Sequence, residues 1–372
     1  MNWPTVKLKD EARLITKGTT PTTLGLKFLK EGIPFLRAQN LVDGSVSVAA
    51  DPIFISPETH DALRRSKIQP SDVLISIAGT IGRAAIVPND AVEMNCNQAV
   101  AIVRPSDRID RRFFLHWLSG SDALAQVTQS TVTGVISNLS LRQIGNLEVP
   151  LPSLTEQRRI AAILDKADAI RRKREEAITL ADDFLRSVFL EMFGEPNTNR
   201  MGLRKVLLGD IIKVSSGNGL VGKDMAADGV YPVYGGNGVN GYHSEYMFEE
   251  PQIVIGRVGA YCGAVHVSAP KSWVTDNALY IRTYKQPINK TYLEWALRFA
   301  NLNQYAGRAA QPLISGGRIY EVEILVPEDA DQVSFHRIVQ KHSILVSKLK
   351  IDAVNSGDLF SALSQHAFAG DL

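Results

Sequence analysis

The second half of this chain repeats the first half, and this duplication restricts the possible fold more than any other feature of the sequence. Five landmarks recur in the same order, pairing residues 3–21 with 203–219, 72–87 with 252–267, 94–105 with 274–284, 113–120 with 292–299, and 134–152 with 312–328. A chain built from two copies of one unit is expected to fold as two similar modules.

The spacing between matched residues is nearly constant. Four pairs differ by 177 to 180 positions: Gly82 and Gly259, Asn97 and Asn277, Ile136 and Ile314, and Arg159 and Arg337. Val6 and Val206, at the two openings, differ by 200, so the first module holds an insertion of about twenty residues after its opening strand.

Each half contains short β-branched runs that are typical of strands, separated by Gly, Asn and Pro. GTIG at 79–82 and GRVG at 256–259 interrupt these runs as tight turns, because Gly permits a positive φ. FFLHWL at 113–118 and YLEWALRFA at 292–300 have the spacing of one packed helix in each half. The pattern predicts an α+β fold with two similar modules, each barrel-like with short strands and small helices.

A long helix is predicted after each module. Residues 153–193 contain no Gly or Pro, and their apolar residues recur at about heptad spacing; Ser153 with Glu156 fits a capping box, and Gly194 marks the end. A weaker apolar stripe follows from Asp331 and is interrupted by Gly357. Neither stripe is buried by its own helix, so we expect the two helices to separate the modules as an antiparallel coiled coil. The predicted boundaries are 1–152 for the first module, 153–195 for the first helix, 196–330 for the second module and 331–372 for the second helix.

Composition excludes several classes of protein. The 41 Lys and Arg residues nearly balance the 39 Asp and Glu residues, which gives a net charge of +2. A DNA-binding chain with so little excess charge needs local basic patches or help from a partner. Two cysteines cannot form a disulfide framework, and no run of apolar residues suits a signal peptide or a membrane span, so a cytoplasmic location is expected.

The catalytic and nucleotide-binding motifs that this sequence suggests are incomplete. Residues 217–222 spell G-x-G-x-x-G and continue with Lys223, but Asp224 stands where a P-loop requires Ser or Thr. Residues 236–241 spell the same pattern between two strand-like runs and fit turns better. The seven histidines are scattered, and no metal-ligand spacing or nucleophile motif is present. The sequence therefore predicts no catalytic residue and no metal site.

Several segments resemble one family closely, the specificity subunit of type I restriction–modification systems. Residues 136–178 are similar to the family's strand, Pro-rich turn and helix start; GIPFLRAQNLVDG at 32–44 resembles the opening of a first module; and residues 231–243 and 255–267 resemble common second-module sequences. The resemblance extends over nearly the whole chain. The final helix departs from it, because QVSFHRI replaces the EQRRI type of start.

The resemblance implies a non-catalytic subunit of a DNA adenine methyltransferase and restriction complex. Each module would be a target recognition domain that reads one half of a bipartite, asymmetric site in double-stranded DNA. The paired helices would set the spacing and dock the modification (methyltransferase) subunits, and restriction subunits would join that core. S-adenosylmethionine, ATP and magnesium are then expected on the partner subunits, with no cofactor on this chain. A two-module protein–protein scaffold without DNA specificity remains the alternative.

Candidate DNA contacts are polar residues in Gly-rich loops, because Arg, Lys, Asn and Gln reach base edges with suitable hydrogen-bonding groups. In the first module they are Arg37, Gln39, Asn40, Thr80, Arg83, Asn95, Gln98 and Thr133. In the second module they are Asn218, Lys223, Asn237, Asn240, Tyr242, Arg257, Tyr261, Arg308 and Gln311.

Overall fold

The computed structural model describes residues 3–49, 51–129, 138–220, 222, 225, 228–307 and 312–372. The chain divides into two compact units. Unit 1 contains Met1–Glu175 together with Ile351–Leu372, and unit 2 contains Glu176–Lys350. Cys96 and Cys262 are buried free thiols, one in each unit.

Unit 1 is built on a six-stranded sheet with the order β2-β10-β7-β8-β5-β4, next to a three-stranded sheet β6-β3-β9 and a two-stranded sheet β1-β11. Its strands are β1 (Thr5–Lys7), β2 (Ala12–Lys17), β3 (Ile33–Leu36), β4 (Leu41–Val42), β5 (Gly44–Val46), β6 (Phe54–Ile55), β7 (Val73–Ser76), β8 (Ala84–Ile86), β9 (Asn95–Cys96), β10 (Val100–Pro105) and β11 (Glu148–Pro150). Its short helices are α1 (Pro57–Ala62), α2 (Arg111–Leu118), α3 (Ser121–Gln129) and α4 (Leu141–Gly145).

Unit 2 repeats this plan in a shorter form. The central sheet has the order β13-β19-β16-β17, and it is accompanied by β15-β14-β18 and β12-β20. Its strands are β12 (Arg204–Leu207), β13 (Ile212–Ser216), β14 (Tyr231–Gly235), β15 (Gly238–His243), β16 (Ile253–Gly256), β17 (Val265–Val267), β18 (Trp273–Val274), β19 (Ala278–Tyr284) and β20 (Glu323–Val326). Its short helices are α6 (Leu208–Ile211), α7 (Lys290–Phe299) and α8 (Gly316–Ile319).

The insertion predicted in the first half includes the hairpin β4–β5. This hairpin extends the central sheet of unit 1, because β5 pairs in parallel with β8. Gly44 lies against the side chain of Leu115 on α2, and a β-carbon at Gly44 would stand 2.9 Å from that side chain. The duplication therefore keeps the four central strands and varies what is added at the sheet edge.

Two long helices complete the structure, α5 (Leu154–Phe193) and α9 (Asp329–Ala369). In unit 1 their parts run antiparallel, since Arg159 donates a hydrogen bond to the carbonyl of Leu372 (2.8 Å) and Arg174 donates one to the carbonyl of Asp352 (2.8 Å). Helix α9 continues through Gly357, where the sequence suggested an interruption.

The same antiparallel arrangement holds within unit 2. His342 contacts the carbonyl of Ala181 at 2.7 Å, and the rings of Phe189 and Phe335 lie 5.4 Å apart. Phe189 and Phe193 are buried anchors of this unit, and the partly buried Val188 and Met192 pack against the same core. The aromatic residues are buried because they pack against Tyr292 on α7 as well as against the other long helix.

Main-chain hydrogen bonds confirm the repeat but correct its detailed alignment. The N–H of Asn97 donates to Leu36 and the N–H of Thr275 donates to Tyr234, so Thr275 is the equivalent of Asn97, not Asn277. Likewise Gly82 corresponds to Gly263, not Gly259, because both have a φ of 89° and donate to the residue that ends the preceding strand. Some turns differ in length by one or two residues between the units. Pairing identical residue types in the two halves of the sequence therefore matches residues that are not structurally equivalent.

Candidate DNA interface

Five loop segments of unit 1 meet at one end of its central sheet. They are residues 18–20, 36–40, 77–83, 95–99 and 138–139, which we call the loop edge of unit 1. Main-chain bonds join them: Gly18 N–H to Val100 (3.0 Å), Thr19 N–H to Cys96 (3.1 Å), Asn97 N–H to Leu36 (3.0 Å), Ile77 N–H to Ala99 (2.8 Å) and Leu139 N–H to Ile77 (2.8 Å). Residues far apart in the sequence are thereby brought to one surface.

The loop edge of unit 2 has the same five connections. It consists of residues 217–220, 234–237, 257–263, 274–278 and 312–314. The bonds are Gly217 N–H to Ala278 (3.2 Å), Asn218 N–H to Val274 (3.0 Å), Thr275 N–H to Tyr234 (2.9 Å), Arg257 N–H to Asn277 (3.0 Å) and Ile314 N–H to Arg257 (2.9 Å). The main-chain frame is therefore conserved between the units, while the side chains on it differ.

Four of the predicted contacts in unit 1 are exposed on its loop edge: Gln39, Thr80, Arg83 and Gln98. Gln98 accepts a hydrogen bond from the hydroxyl of Thr20 across the edge. Arg37 is only partly exposed and donates to the carboxylate of Asp51 (2.6 Å), which also accepts from Gln39 (3.2 Å). The carboxylate of Asp51 therefore binds the side chains of Arg37 and Gln39, which are donors of the types that recognise guanine and adenine edges.

Two predicted contacts in unit 1 have an internal role instead. Asn40 is 2% exposed; its amide oxygen accepts from the N–H of Arg37 (2.8 Å) and its amide nitrogen donates to the carbonyl of Ser47 (2.8 Å). Asn95 is fully buried, and its amide nitrogen donates to the carbonyl of Leu63 at 3.3 Å. Since these amides fix loops from the inside, we leave both residues out of the proposed contact surface.

Asn95 also faces a buried histidine. Its amide nitrogen lies 3.3 Å from Nδ1 of His60, which therefore acts as an acceptor. Burial and the positive charge of Lys67 hold the pKa of His60 below its usual value. The neutral form of His60 is thus the one that fits the folded unit.

In unit 2 the predicted contacts Asn218, Asn237, Asn240, Tyr242 and Tyr261 are exposed. Asn218, Asn237 and Tyr261 belong to the loop edge, with Asn237 in the turn between β14 and β15. Asn240 and Tyr242 lie on β15 itself. Residues 217–220 form a loop.

Arg257 occupies the centre of the loop edge of unit 2. Its guanidinium donates to the hydroxyl of Ser216 (3.2 Å) and to the carbonyl of Asp276 (3.3 Å), while its Nε is buried. The main-chain bonds place Arg257 where unit 1 has Ile77. This position therefore carries a cation in one unit and an apolar side chain in the other.

Four predicted contacts lie outside the described residues: Thr133, Lys223, Arg308 and Gln311. Three residues that the sequence reasoning did not select take part in the loop edges, namely Thr20, Ser216 and Asp276. Thr20 follows Gly18 by two residues and Ser216 directly precedes Gly217, so their nearness to a repeated glycine was the only signal in the sequence for these two residues.

Two kinds of site are absent from the residues that the structure describes. Within them, no group of three or more His, Cys, Asp or Glu side chains is placed to hold a metal ion. No helix among the same residues is long and apolar enough to cross a bilayer.

Comparison with known proteins identifies the family. The model of the type I restriction modification DNA specificity domain matches residues 1–180 and again 202–353, so the chain belongs to this family and carries its domain twice. The chain is 25% identical over 359 residues to the EcoprrI specificity subunit of Escherichia coli, with 90% of this chain and 86% of that one covered. It is 32% identical over 170 residues to the EcoBI specificity subunit of Escherichia coli, covering 44% of this chain and 35% of the other.

Solved structures show the same fold. The S subunit of a type I restriction–modification system from M. genitalium is similar with a TM-score of 0.59 at 16% identity, covering 99% of this chain and 96% of that one. A chain from a structural study of complex assembly in a type I R-M system has a TM-score of 0.62 at 18% identity, covering 100% and 98%. The predicted family and the predicted two-module α+β fold are thus confirmed.

Proposed function

We propose that this chain reads an interrupted duplex DNA site for a type I restriction–modification complex, with one half of the site read by each unit. The observation that carries this proposal is the loop edge, which is built twice on the same main-chain frame with different side chains. Two unlike reading surfaces recognise two unlike half-sites, so the site is asymmetric.

The exposed polar residues of the loop edges are the proposed base and backbone contacts. Arg83, Gln98, Arg257 and Asn218 carry the groups that recognise guanine and adenine edges. Arg37 joins them by exchanging the carboxylate of Asp51 for a base or a phosphate. Because the net charge is only +2, much of the sequence-independent attraction to phosphates comes from partner chains.

The long helices are proposed to bind those partners. In unit 1 the helices expose Ile170, Ile351, Val354 and Leu359, each more than half accessible, and in unit 2 they expose Leu180, Phe184, Ile344 and Leu345. Large apolar side chains grouped on a surface are typical of protein–protein interfaces. The modification subunits, which bind S-adenosylmethionine for adenine methylation, fit this role, and restriction subunits that use ATP and magnesium join them. This chain then supplies specificity and no catalytic residue, and it acts in the cytoplasm beside its DNA substrate.

Selection from randomised duplexes tests the proposal. The full-length chain, purified with its modification subunits, is expected to enrich one motif with two unlike halves and a spacer of fixed length. Exchange of residues 196–330 for those of a relative should change one half only. A continuous or palindromic motif would contradict the proposal. Failure to enrich any motif, together with polypeptide binding through the units, would favour the scaffold alternative.

A further inference from the structure

Each long helix begins with a buried glutamine that joins it to its unit. Gln157 of α5 is fully buried; its Oε1 accepts from the N–H of Asp110 (2.8 Å), and its Nε2 donates to the carbonyls of Arg108 and Pro152 (both 2.9 Å). Asp110 is the N-cap residue of α2. One side chain therefore connects the long helix, the turn by which the chain enters it, and the start of a recognition-unit helix.

Gln332 makes two corresponding connections in unit 2. It is 1% exposed, its Oε1 accepts from the N–H of Asn289 (2.9 Å), and its Nε2 donates to the carbonyl of Pro327 (2.9 Å). Asn289 is the N-cap residue of α7. The alignment by letters paired Arg159 with Arg337, but these bonds show that Gln332 is the equivalent of Gln157. We call each glutamine with its partners a clasp.

Each clasp lies at the far end of a central strand from the loop edge. In unit 1 strand β10 begins at Val100, beside the loop edge, and the chain then reaches Asp110 shortly after the strand ends at Pro105. In unit 2 strand β19 spans Ala278–Tyr284 between the loop edge and Asn289. Each clasp therefore fixes one end of a central strand, and the loop edge that is proposed to read DNA lies at the other end of that strand.

Because the strand is long, a small rotation at the clasp produces a large displacement of the loop edge. Six residues of strand span about 20 Å. A rotation of the strand by about 10° at the clasp moves the loop edge by about 3.5 Å, close to the 3.4 Å step between base pairs. A loosened clasp therefore shifts the loop edge by about one base pair without altering any residue on it.

We propose that Gln157 and Gln332 are positioning residues that fix each reading surface on its long helix and thereby restrict the spacer length between the half-sites. The inference rests on the proposed function, since it assumes that the loop edges read DNA. It goes further by separating two properties: the loop edges select bases, and the clasps select spacing.

Methionine substitution tests this separation, because Met keeps the length of Gln but removes its hydrogen-bonding groups. Gln157→Met and Gln332→Met are compared with Gln340→Met, the same change on the exposed side of α9. The probes are duplexes carrying the selected half-sites with the preferred spacer or with one base pair more or fewer. The protein is the full-length chain with its modification subunits.

Wild-type protein and Gln340→Met should bind the altered spacers at least about tenfold more weakly, a loss similar to that of one mismatched base pair. Gln157→Met and Gln332→Met should lose no more than about threefold, while the base preference of each half-site stays unchanged. A folded clasp variant that keeps the wild-type spacer preference, or that changes base preference instead, overturns the inference. If wild-type protein selects no interrupted site, the proposed function fails and this inference falls with it.

Hydrogen exchange of the wild-type chain gives a second test that does not depend on a variant folding. The amides of Asp110 and Asn289 should exchange at least about 100-fold more slowly than unprotected amides, because buried side chains hold them. Exchange at the unprotected rate would show that the clasps are open in solution and would overturn the inference.

Discussion

Gly18 and Gly217 are equivalent residues of the two units. Each lies against a main-chain carbonyl oxygen of the segment that precedes strand β10 in unit 1 or strand β19 in unit 2. A β-carbon at Gly18 would stand 2.1 Å from the oxygen of Cys96, and one at Gly217 would stand 2.1 Å from the oxygen of Val274. Only glycine permits this approach, so the Gly217 that resembled part of a nucleotide-binding motif closes the loop edge.

Alanine at either glycine should therefore open its loop edge. We expect Gly18→Ala and Gly217→Ala to destabilise their units by about 3 kcal/mol, the upper end of the cost of overpacking, because each carbonyl oxygen is held by a main-chain hydrogen bond, from Thr19 N–H in unit 1 and from Asn218 N–H in unit 2. Thermal unfolding measures the effect. Gly317→Ala is the matched control, since a β-carbon there meets nothing within 4 Å, and it should leave the melting temperature nearly unchanged. Equal effects at all three sites would contradict the packing argument.

Gly357→Ala should stabilise the protein. Gly357 lies within α9, and a β-carbon there meets open space. Alanine in a helix interior is favoured over glycine by about 0.5–1 kcal/mol, because the unfolded chain loses less entropy on folding. Denaturant unfolding should show this gain. A loss of stability would indicate that α9 bends or opens at this residue.

Arg257→Lys should weaken DNA binding at one half-site only. Lysine keeps the charge but lacks the planar fork that bonds Ser216 and Asp276, so we expect about 10- to 100-fold weaker binding. Competition among duplexes with changes in one half-site at a time measures where specificity is lost. Arg204→Lys on β12, which belongs to the separate two-stranded sheet β12-β20, should have no such effect. Loss of specificity at both halves would argue against independent reading by the units.

Stability should fall as the pH is lowered below about 6.5, the usual pKa of histidine. The folded-state pKa of His60 is depressed by burial and by Lys67, so the unfolded chain binds the extra proton first. The loss approaches about 1.4 kcal/mol per pH unit for one such group and stops below the folded-state pKa.

Denaturant unfolding between pH 7 and 5 measures this dependence. His60→Gln should reduce the slope, and His366→Gln is the control substitution at an exposed position. An unchanged slope in His60→Gln would assign the pH dependence to other groups, among them His266, whose pKa burial also lowers.

Leu345→Glu should weaken binding of the modification subunits without unfolding unit 2. Leu345 is 52% exposed and lines an apolar groove with Phe184 and Ile338. A charge in a protein–protein contact should cost at least about tenfold in affinity, since a desolvated unpaired charge is unfavourable. Co-purification and isothermal titration measure it, with Lys348→Glu as the control at another exposed position of α9. Unchanged affinity would place the partner elsewhere.

The sequence predicted the features that depend on local pattern and on repetition. The duplicated order of strands, the turns at Gly79 and Gly259, the helices α2 and α7, and the two long helices all follow from residues near one another in the chain. Ser153 caps α5 as expected, accepting from the N–H of Glu156 at 3.3 Å. The side chain of Glu156 instead pairs with Arg159, whose hydrogen bond lowers the pKa of that carboxyl.

Side-chain environment, in contrast, was decided by tertiary structure. Asn40 and Asn95 are asparagines like the exposed Asn218 and Asn237, yet they are buried because other segments of the chain cover them. Phe189 anchors unit 2 because α7 and α9 both reach it. The sequence by itself determined that two copies of one unit are carried by two long helices, since periodicity and repetition are properties of the chain. Only the tertiary structure decided which residues are equivalent, exposed or joined, because hydrogen bonds between distant segments fix those relations.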